Sequence, residues 1–197
     1  VEEIVARGKK GGIVAQLPLP SGVDTEAVLN AVPPRYDIDV LGEESMRLFR
    51  EGRLAIFPPV VGAIREVLER GSVFLHGKKV AVLGQGRLVG IPVAAWFRKM
   101  EADVAVYDAA RPPTAEELMN ADIIVSGIGK PGFITSDMVR QGAIVLDAGT
   151  SEAGGKIVGD ARLEVATKCA LFTPVPGGIG PVTVAVLFQN LLTLSGK

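Results

Sequence analysis

The sequence predicts an α/β fold in which helices cover both faces of a parallel sheet. Short apolar runs alternate with longer segments of helical periodicity along most of the 197 residues, as they do in repeated strand–helix–strand units. The 24 glycines and 13 prolines cluster between these segments, and such clusters mark turns. The clusters lie at 18–22, 58–62, 84–92, 127–132 and 174–181.

The beginning of the chain predicts a less regular arrangement. Residues 1–6 resemble the tail of a helix, and 12–16 form a short apolar run typical of a buried parallel strand. Two prolines end that run, because proline cannot continue a strand ladder. A short helix is expected at 24–32, and a loop with two carboxylates at 36–41.

A regular alternation of strands and helices follows and predicts a complete parallel-sheet domain at 58–180. Residues 1–57 then belong to part of a second α/β domain, on which a terminal helix at 181–197 packs back. The expected strands are 79–84, 103–108, 123–126 and 143–147, and the expected helices are 58–70, 86–100, 114–120 and 136–141. The residues expected to face inward from helix 86–100 are Ile91, Ala94, Ala95 and Phe97.

A glycine-rich turn follows the first strand of this domain and opens its second helix. The first glycine permits a tight turn, the second lets the backbone approach a pyrophosphate, and the third permits close helix–strand packing. The helix N-terminus then offers free N–H groups to the anion. This placement predicts a Rossmann-type dinucleotide-binding domain. The candidate cofactor-binding residues of the turn are Gly84, Gln85, Gly86, Arg87 and Leu88.

Asp108 ends the next expected strand, where an acid accepts hydrogen bonds from the adenosine ribose and repels a 2′-phosphate. It therefore favours NAD over NADP. Arg87 and Arg111 are close enough in sequence to reach a 2′-phosphate, so NADP stays open. A helix-capping or solvent-facing role for Asp108 is the structural alternative.

Polar residues and rigid loops at other expected strand ends are further candidates. Gln16 lies at the carboxyl end of an expected strand, where parallel sheets bind ligands. Asp37 and Asp39 share a loop, although such a pair is usually only solvated. The dense glycines and prolines of 174–181 stiffen a loop while exposing its N–H groups, and Thr183 follows it.

Composition excludes several classes of function. The formal net charge of −1 gives no sign of a basic surface for nucleic acid or a membrane, so neither partner is expected. One cysteine excludes an intrachain disulfide and fits the cytoplasm, and one histidine excludes a His-rich metal site. The chain begins with Val rather than Met, so we expect it to start inside a larger protein.

Two proline-rich motifs together resemble the methylenetetrahydrofolate dehydrogenase/methenyltetrahydrofolate cyclohydrolase family. They are Gly-Gly-Ile-Val-Ala-Gln-Leu-Pro-Leu-Pro (11–20) and Thr-Pro-Val-Pro-Gly-Gly-Ile-Gly-Pro-Val-Thr (173–183). The Val-Gly-Ile-Pro run at 89–92 resembles the family's cofactor loop. Further matches occur in order at 129–132, 142–149 and 158–160, so the resemblance covers essentially the whole chain.

The resemblance implies a two-domain enzyme, homodimeric through its nucleotide domain, with a folate cleft between the domains. A hydride would pass from 5,10-methylenetetrahydrofolate to NAD or NADP, and the methenyl product would be hydrolysed to 10-formyltetrahydrofolate. Gln16 matches the active-site glutamine, and Asp39 the aspartate that binds the pterin. These two are the candidate catalytic residues. Pro176, Gly177 and Gly178 match a loop near nicotinamide and folate, and Thr183 a cofactor contact. The candidate cofactor residues are completed by Gly127, Ile128 and Thr150.

Departures from the family pattern put part of this activity in doubt. The catalytic lysine belongs to a Tyr-x-x-x-Lys motif well upstream of the 11–20 motif; this sequence contains none, and Lys9 and Lys10 are too close to replace it. The chain is thus expected to be a fragment or a truncated relative. Val40 replaces a glycine beside the pterin-binding aspartate, Pro-Pro-Val-Val (58–61) replaces Pro-Cys-Thr-Pro, and Gly-Gln-Gly (84–86) replaces Gly-Arg-Ser.

Three hypotheses follow. The first is a dehydrogenase/cyclohydrolase, impaired in this chain because the lysine segment is absent. The second is a non-catalytic NAD-binding module derived from that family. The third, another Rossmann dehydrogenase for a small acid, is disfavoured by the two proline-rich motifs and by the lack of an obvious catalytic histidine.

Overall fold

The computed structural model describes residues 1–6 and 11–196. Lys9 and Lys10 therefore lie outside the described residues. The beginning of the chain contains α1 (Glu2–Ala6), α2 (Thr25–Asn30) and α3 (Glu43–Glu51).

The strand expected at 12–16 is wrong. Within the described part of the chain, this segment makes one parallel bridge, between Ile13 and Asp37, and Ile13 N donates to Tyr36 O at 2.7 Å. Successive side chains alternate between half-buried and exposed, and Val14 is 45% exposed. The backbone is thus extended as the apolar pattern requires, but one bridge does not continue into a ladder.

Helix α3 is not predicted by the sequence analysis. Its inward face consists of buried Ser45 and Phe49 and half-buried Met46, spaced as the turns of a helix require. Its ends also carry signals, because two glutamates occupy its first turn and Gly52 follows in the left-handed conformation (φ 72°).

A parallel sheet forms the centre of the molecule, and the predicted α/β class with a parallel sheet is confirmed. The strands of the described residues are β1 (Lys79–Leu83), β2 (Asp103–Tyr107), β3 (Ile123–Ser126), β4 (Ile144–Asp147), β5 (Ser151–Ala153), β6 (Lys156–Val158) and β7 (Leu171–Thr173). Five of them form the sheet in the order β2-β1-β3-β4-β7, all parallel. A separate antiparallel hairpin, β5–β6, was not expected.

Helices cover both faces of this sheet. On one face Val80, Val82 and Val125 pack against helices, and on the other Ala81 and Ile124 form a second apolar cluster. This division follows from the alternation of side chains along a strand. The remaining helices are α4 (Pro59–Arg70), α5 (Gly90–Lys99), α6 (Ala115–Met119) and α7 (Ile179–Leu194), with 3₁₀ turns at Ser136–Met138 and Leu163–Thr167.

Two helices expected in this domain have other bounds. Helix α5 begins at Gly90 rather than at residue 86, because 87–89 form a turn. Its inward face includes Trp96, whereas Ile91 is 39% exposed and the expectation for that residue is wrong. The helix expected at 136–141 is a single 3₁₀ turn, since Val139 is already extended (φ −117°, ψ 128°).

Helix α7 packs on α4 and contacts the beginning of the chain. Its buried Asn190 donates from Nδ2 to Ile38 O and to Phe57 O, both at 2.8 Å. Val186 packs on α4 at Gly62, where a Cβ would lie 2.6 Å from it. No helix in the described ranges is long and apolar enough to cross a membrane.

Candidate functional site

The chain reverses direction across the sheet between β1 and β3. It runs from β1 to β2 on one side and returns to β3 on the other, and ligands of open parallel sheets bind outside the carboxyl ends of strands at such a point. A cavity of about 330 Å³ lies here. Its lining includes Gly84, Gln85, Gly86, Tyr107, Asp108, Pro112, Pro113, Gly127, Ile128, Lys130 and Phe133.

The glycine-rich turn has the geometry expected of it. Gly84 adopts φ +103°, a conformation that other residues rarely accept. A Cβ on Gly90 would lie 1.9 Å from Gly84 O, so helix α5 starts directly against the turn. A Cβ on Gly86 would meet no atom within 4 Å. The backbone at Gly86 is therefore open to an approaching ligand.

Asp108 joins this turn to the end of β2. Its Oδ2 accepts a hydrogen bond from Gln85 Nε2 at 2.6 Å, and its Oδ1 accepts from Ala110 N at 2.8 Å and Arg111 N at 2.9 Å. The bonds to Oδ1 hold the backbone after β2, but no helix of the described chain begins there. The helix-capping alternative for Asp108 is therefore wrong, because α6 has Thr114 as its N-cap. The Oδ2 atom lies at the glycine-rich turn, on the wall of the cavity.

The two arginines considered for a 2′-phosphate are both paired with carboxylates. Arg111 lies over the Tyr107 ring at 5.1 Å and contacts Glu117 at 3.1 Å. Arg87 pairs with Glu26 of α2. Arg87 lines an adjoining cavity with Gln85 rather than the 330 Å³ cavity, and Leu88 is 50% exposed.

Other predicted cofactor residues also follow the carboxyl ends of strands. Gly127 and Ile128 come after β3 and line the cavity. Thr150 is exposed after β4. Thr183 lies in the first turns of α7, where its Oγ1 donates to Ile179 O at 3.0 Å, so its hydroxyl hydrogen is already engaged.

The loop matched to nicotinamide and folate follows β7 at the same edge of the sheet. The Val175–Pro176 peptide bond is cis, and Gly178 N donates to Pro174 O at 2.7 Å. Pro176 and Gly177 are exposed, whereas Gly178 is half-buried. The loop thus has a tight internal bond and an accessible tip.

Sequence reasoning missed several residues that line the cavity and one that supports its wall. Tyr107, Lys130 and Phe133 line the cavity, and Asp160 bonds to the loop after β3. The only signal for the first three is their position near the ends of β2 and β3. Asp160 belongs to the 158–160 match to the family pattern, but that motif does not indicate which residues Asp160 contacts.

Gln16 and Asp39, the predicted catalytic pair, lie in the other part of the molecule. The parallel bridge from Ile13 to Asp37 brings both to the same end of the two segments. The Gln16 side chain is exposed and donates to Leu17 O at 3.1 Å. Neither residue lines the 330 Å³ cavity.

The two carboxylates of the 36–41 loop have different environments. Buried Asp37 accepts hydrogen bonds from Leu41 N at 3.2 Å and Gly42 N at 2.9 Å, which is a structural role. Burial, together with the negative charge of Asp37, raises the pKa of Asp39 to about 6. Asp39 is therefore the carboxylate suited to ligand binding or proton exchange near neutral pH.

The chain is similar to known proteins over nearly its full length. Residues 58–197 match the family model for the tetrahydrofolate dehydrogenase/cyclohydrolase NAD(P)-binding domain. The bifunctional protein FolD of Clostridium perfringens is 36% identical over 192 residues, covering 97% of this chain and 69% of the relative. The FolD protein of Clostridium novyi is 39% identical over 181 residues, covering 91% and 65%.

Solved structures give the same picture. The bifunctional dehydrogenase/cyclohydrolase of Campylobacter jejuni superposes with a TM-score of 0.90 at 31% identity, over 94% of this chain and 67% of that one. The Trypanosoma brucei enzyme, complexed with NADP and an inhibitor, also gives 0.90, at 36% identity over 99% and 71%. This chain thus spans about two thirds of the length of the relatives that it matches.

Proposed function

Because this chain belongs to the tetrahydrofolate dehydrogenase/cyclohydrolase family, we propose that it uses NAD or NADP, with NAD preferred, to oxidise 5,10-methylenetetrahydrofolate to 5,10-methenyltetrahydrofolate. The observation that carries the proposal is the position of the Gly84–Gly90 turn and Asp108. Both lie at the carboxyl edge of the sheet, where the chain reverses direction.

The residues at this edge fit a dinucleotide. The backbone at Gly86 is open for the approach of a pyrophosphate. Asp108 Oδ2 lies at the turn, where it can accept from ribose hydroxyls. Tyr107 and Ile128 add apolar wall to the 330 Å³ cavity, which suits an adenine ring.

Charge at the ribose end supports the NAD preference. The Asp108 carboxylate would repel a 2′-phosphate. The hydrogen bonds to its two oxygens come from the Gln85 amide and from backbone N–H groups, and within the described part of the chain none comes from a basic side chain. Arg87 and Arg111 are engaged by Glu26 and Glu117, so a 2′-phosphate would have to compete with those carboxylates.

The chain's own contribution to hydride transfer is positioning, which can supply a large part of the rate enhancement. The C–H bond of the methylene carbon breaks with its electron pair, for which NAD(P), when bound, supplies the acceptor. Gln16, Asp39 and the loop Pro176–Gly178 would hold the folate. Above pH of about 6, the ionised Asp39 can accept hydrogen bonds from pterin N–H groups.

Hydrolysis of the methenyl product to 10-formyltetrahydrofolate needs acid–base assistance. The resemblance assigns that assistance to a lysine in a Tyr-x-x-x-Lys motif, and the 197 residues contain none. We therefore propose that the cyclohydrolase step is impaired in this chain.

A non-catalytic NAD-binding module is the second candidate. It is favoured by Val40, which occupies the left-handed conformation (φ 57°) beside Asp39 where the family pattern has glycine. It is also favoured by the exposed Gln16 side chain. Under this reading the nucleotide site remains and folate does not bind.

We further propose that the chain forms a homodimer through its nucleotide domain. Strand β2 is at one edge of the sheet, and Val104, Ala105 and Val106 along it are half-buried. An edge strand with unpaired backbone groups can pair with a second copy.

Turnover by the 197-residue chain tests the main proposal. With 5,10-methylenetetrahydrofolate and NAD, we expect reduction of NAD that depends on the folate, measured by the absorbance of the reduced nicotinamide. With methenyltetrahydrofolate, we expect no hydrolysis above the spontaneous rate. Asp39→Asn should lower the dehydrogenase rate and leave NAD affinity unchanged, because Asp39 lies outside the nucleotide cavity.

Each other outcome favours a different reading. NAD binding with neither folate binding nor turnover would support the non-catalytic module. Catalysed hydrolysis would contradict the assignment of that step to the absent lysine. Failure to bind NAD would remove the non-catalytic NAD-binding module, and failure to bind either NAD or NADP would remove both candidates.

A further inference from the structure

Asp160 is completely buried and bonds to the loop that follows β3. Its Oδ2 accepts hydrogen bonds from Ser126 Oγ at 2.7 Å, Ile128 N at 2.9 Å and Gly129 N at 3.3 Å. Its Oδ1 accepts from Lys130 N at 2.7 Å. Four donors from one short loop thus converge on one carboxylate that lies 30 or more residues away in sequence.

A second buried carboxylate holds Asp160 in place. Asp147, at the end of β4, accepts from Ala161 N at 2.8 Å and Gly149 N at 2.9 Å. Ile134 N donates to Asp160 O at 2.9 Å, and Ile134 bridges to Ala161. The backbone on both sides of Asp160 is therefore fixed.

The bonded loop is part of the nucleotide cavity. Gly127, Ile128 and Lys130 line that cavity, yet the N–H groups of Ile128 and Lys130 donate to Asp160. These N–H groups are not available to a phosphate. The loop consequently offers the cavity its apolar surface, and phosphate donors must come from the Gly84–Gly90 turn.

The hydrogen bonds to the Asp160 carboxylate stabilise one particular segment of the chain. Burying a carboxylate is costly unless hydrogen bonds compensate it, and bonds from N–H groups to an ionised carboxylate are stronger than neutral ones. All four donors come from residues 126–130. The stabilisation is therefore concentrated on this loop.

We infer that Asp160 is a positioning residue: its carboxylate holds the 127–130 loop in the shape that binds the dinucleotide cofactor. The inference rests on the proposed function, since it takes the 330 Å³ cavity to be the nucleotide site. Asp160 acts through the loop and does not line the cavity itself.

Asp160→Asn tests this inference, because it keeps the size of the side chain while replacing one acceptor oxygen by an NH₂ group that faces N–H donors. We expect NAD to bind at least about tenfold more weakly in calorimetric titration, since charge-assisted bonds are lost. In the chain without cofactor, amide exchange followed by NMR should accelerate at 128–130. Exchange should remain slow in β3.

Asp122→Asn is the matched control. Asp122 also accepts from a backbone N–H, that of Lys79 at 2.8 Å, and pairs with Arg140. It lies at the amino edge of the sheet, opposite the cavity. We expect it to lower stability and to leave both NAD affinity and exchange at 128–130 within about twofold of the wild type.

Ser126→Ala is the second variant, for use if Asp160→Asn fails to fold. It removes one of the four donors, so we expect faster loop exchange and a few-fold loss of NAD affinity. Unchanged exchange at 128–130, or unchanged NAD affinity, in whichever variant folds would overturn the inference. A wild type that binds neither NAD nor NADP would defeat the proposed function, while the exchange data would still report on the loop.

Discussion

Val40 is fully buried and occupies a left-handed backbone conformation (φ 57°) beside Asp39. For a β-branched residue this conformation is unfavourable, by about 1–2 kcal/mol. Val40→Gly should release that strain while losing the buried side chain, whereas Val40→Ala loses packing and keeps the strain. We therefore expect Val40→Gly to be at least as stable as Val40→Ala in urea unfolding.

Val61 provides the comparison, because it is equally buried but lies within helix α4. There Val61→Gly should be less stable than Val61→Ala by about 1 kcal/mol, the usual order in a helix. If the two sites rank glycine and alanine in the same order, the strain assigned to Val40 is absent.

Asp39 makes the stability of the folded chain depend on pH. Its pKa is raised from 3.8 to about 6, by burial first and by the charge of Asp37 second. The raised pKa means that folding favours the protonated form of Asp39. The contribution of Asp39 to the free energy of unfolding is therefore fully present below pH of about 4. It is lost as the pH rises through about 6, because the folded state then holds an ionised buried carboxylate. Asp39→Asn should therefore be more stable than the wild type at pH 7, by about 1–2 kcal/mol, with partial exposure limiting the effect.

Urea unfolding of both proteins between pH 4 and pH 8 measures this difference. The advantage of Asp39→Asn should grow across the window from about 4 to 6 and then level off. A difference that stays constant with pH would show that Asp39 titrates at its ordinary pKa.

At the scale of elements, the sequence predicts what local pattern determines. Strands β1 to β4 are short apolar runs between turns, and the helix at Thr114 has a capping box, so both could be found. The β5–β6 hairpin buries few side chains and gives a weak pattern. Helix α3 does carry helical periodicity and end signals, and was missed although these could have revealed it. The 12–16 segment has the apolar pattern of a strand. A strand also requires an adjacent strand to pair with, and the local pattern does not show whether one is present.

At the scale of the whole molecule, chain topology assembles residues that are distant in sequence. Gln85 and Asp108 could be placed near each other from sequence, because each follows a strand of one parallel sheet, and they form a hydrogen bond. Asp160 could not, since its bonds to 126–130 depend on the path of the chain after β4. Asn190 joins α7 to Ile38 and Phe57 in the same way, through contacts without local signal.

We propose that Asp108 and the Gly84–Gly90 turn give the chain its preference for NAD over NADP. The decisive measurement of this preference is calorimetric titration of the wild type and Asp108→Ser with both dinucleotides. Asp103→Ser, at the exposed start of the same strand, is the control. We expect the wild type and Asp103→Ser to bind NAD at least about tenfold more tightly than NADP. Asp108→Ser should narrow or reverse this ratio of affinities, because a carboxylate no longer faces the 2′-phosphate. Tighter binding of NADP by the wild type, or a ratio unchanged by Asp108→Ser, would contradict the proposal.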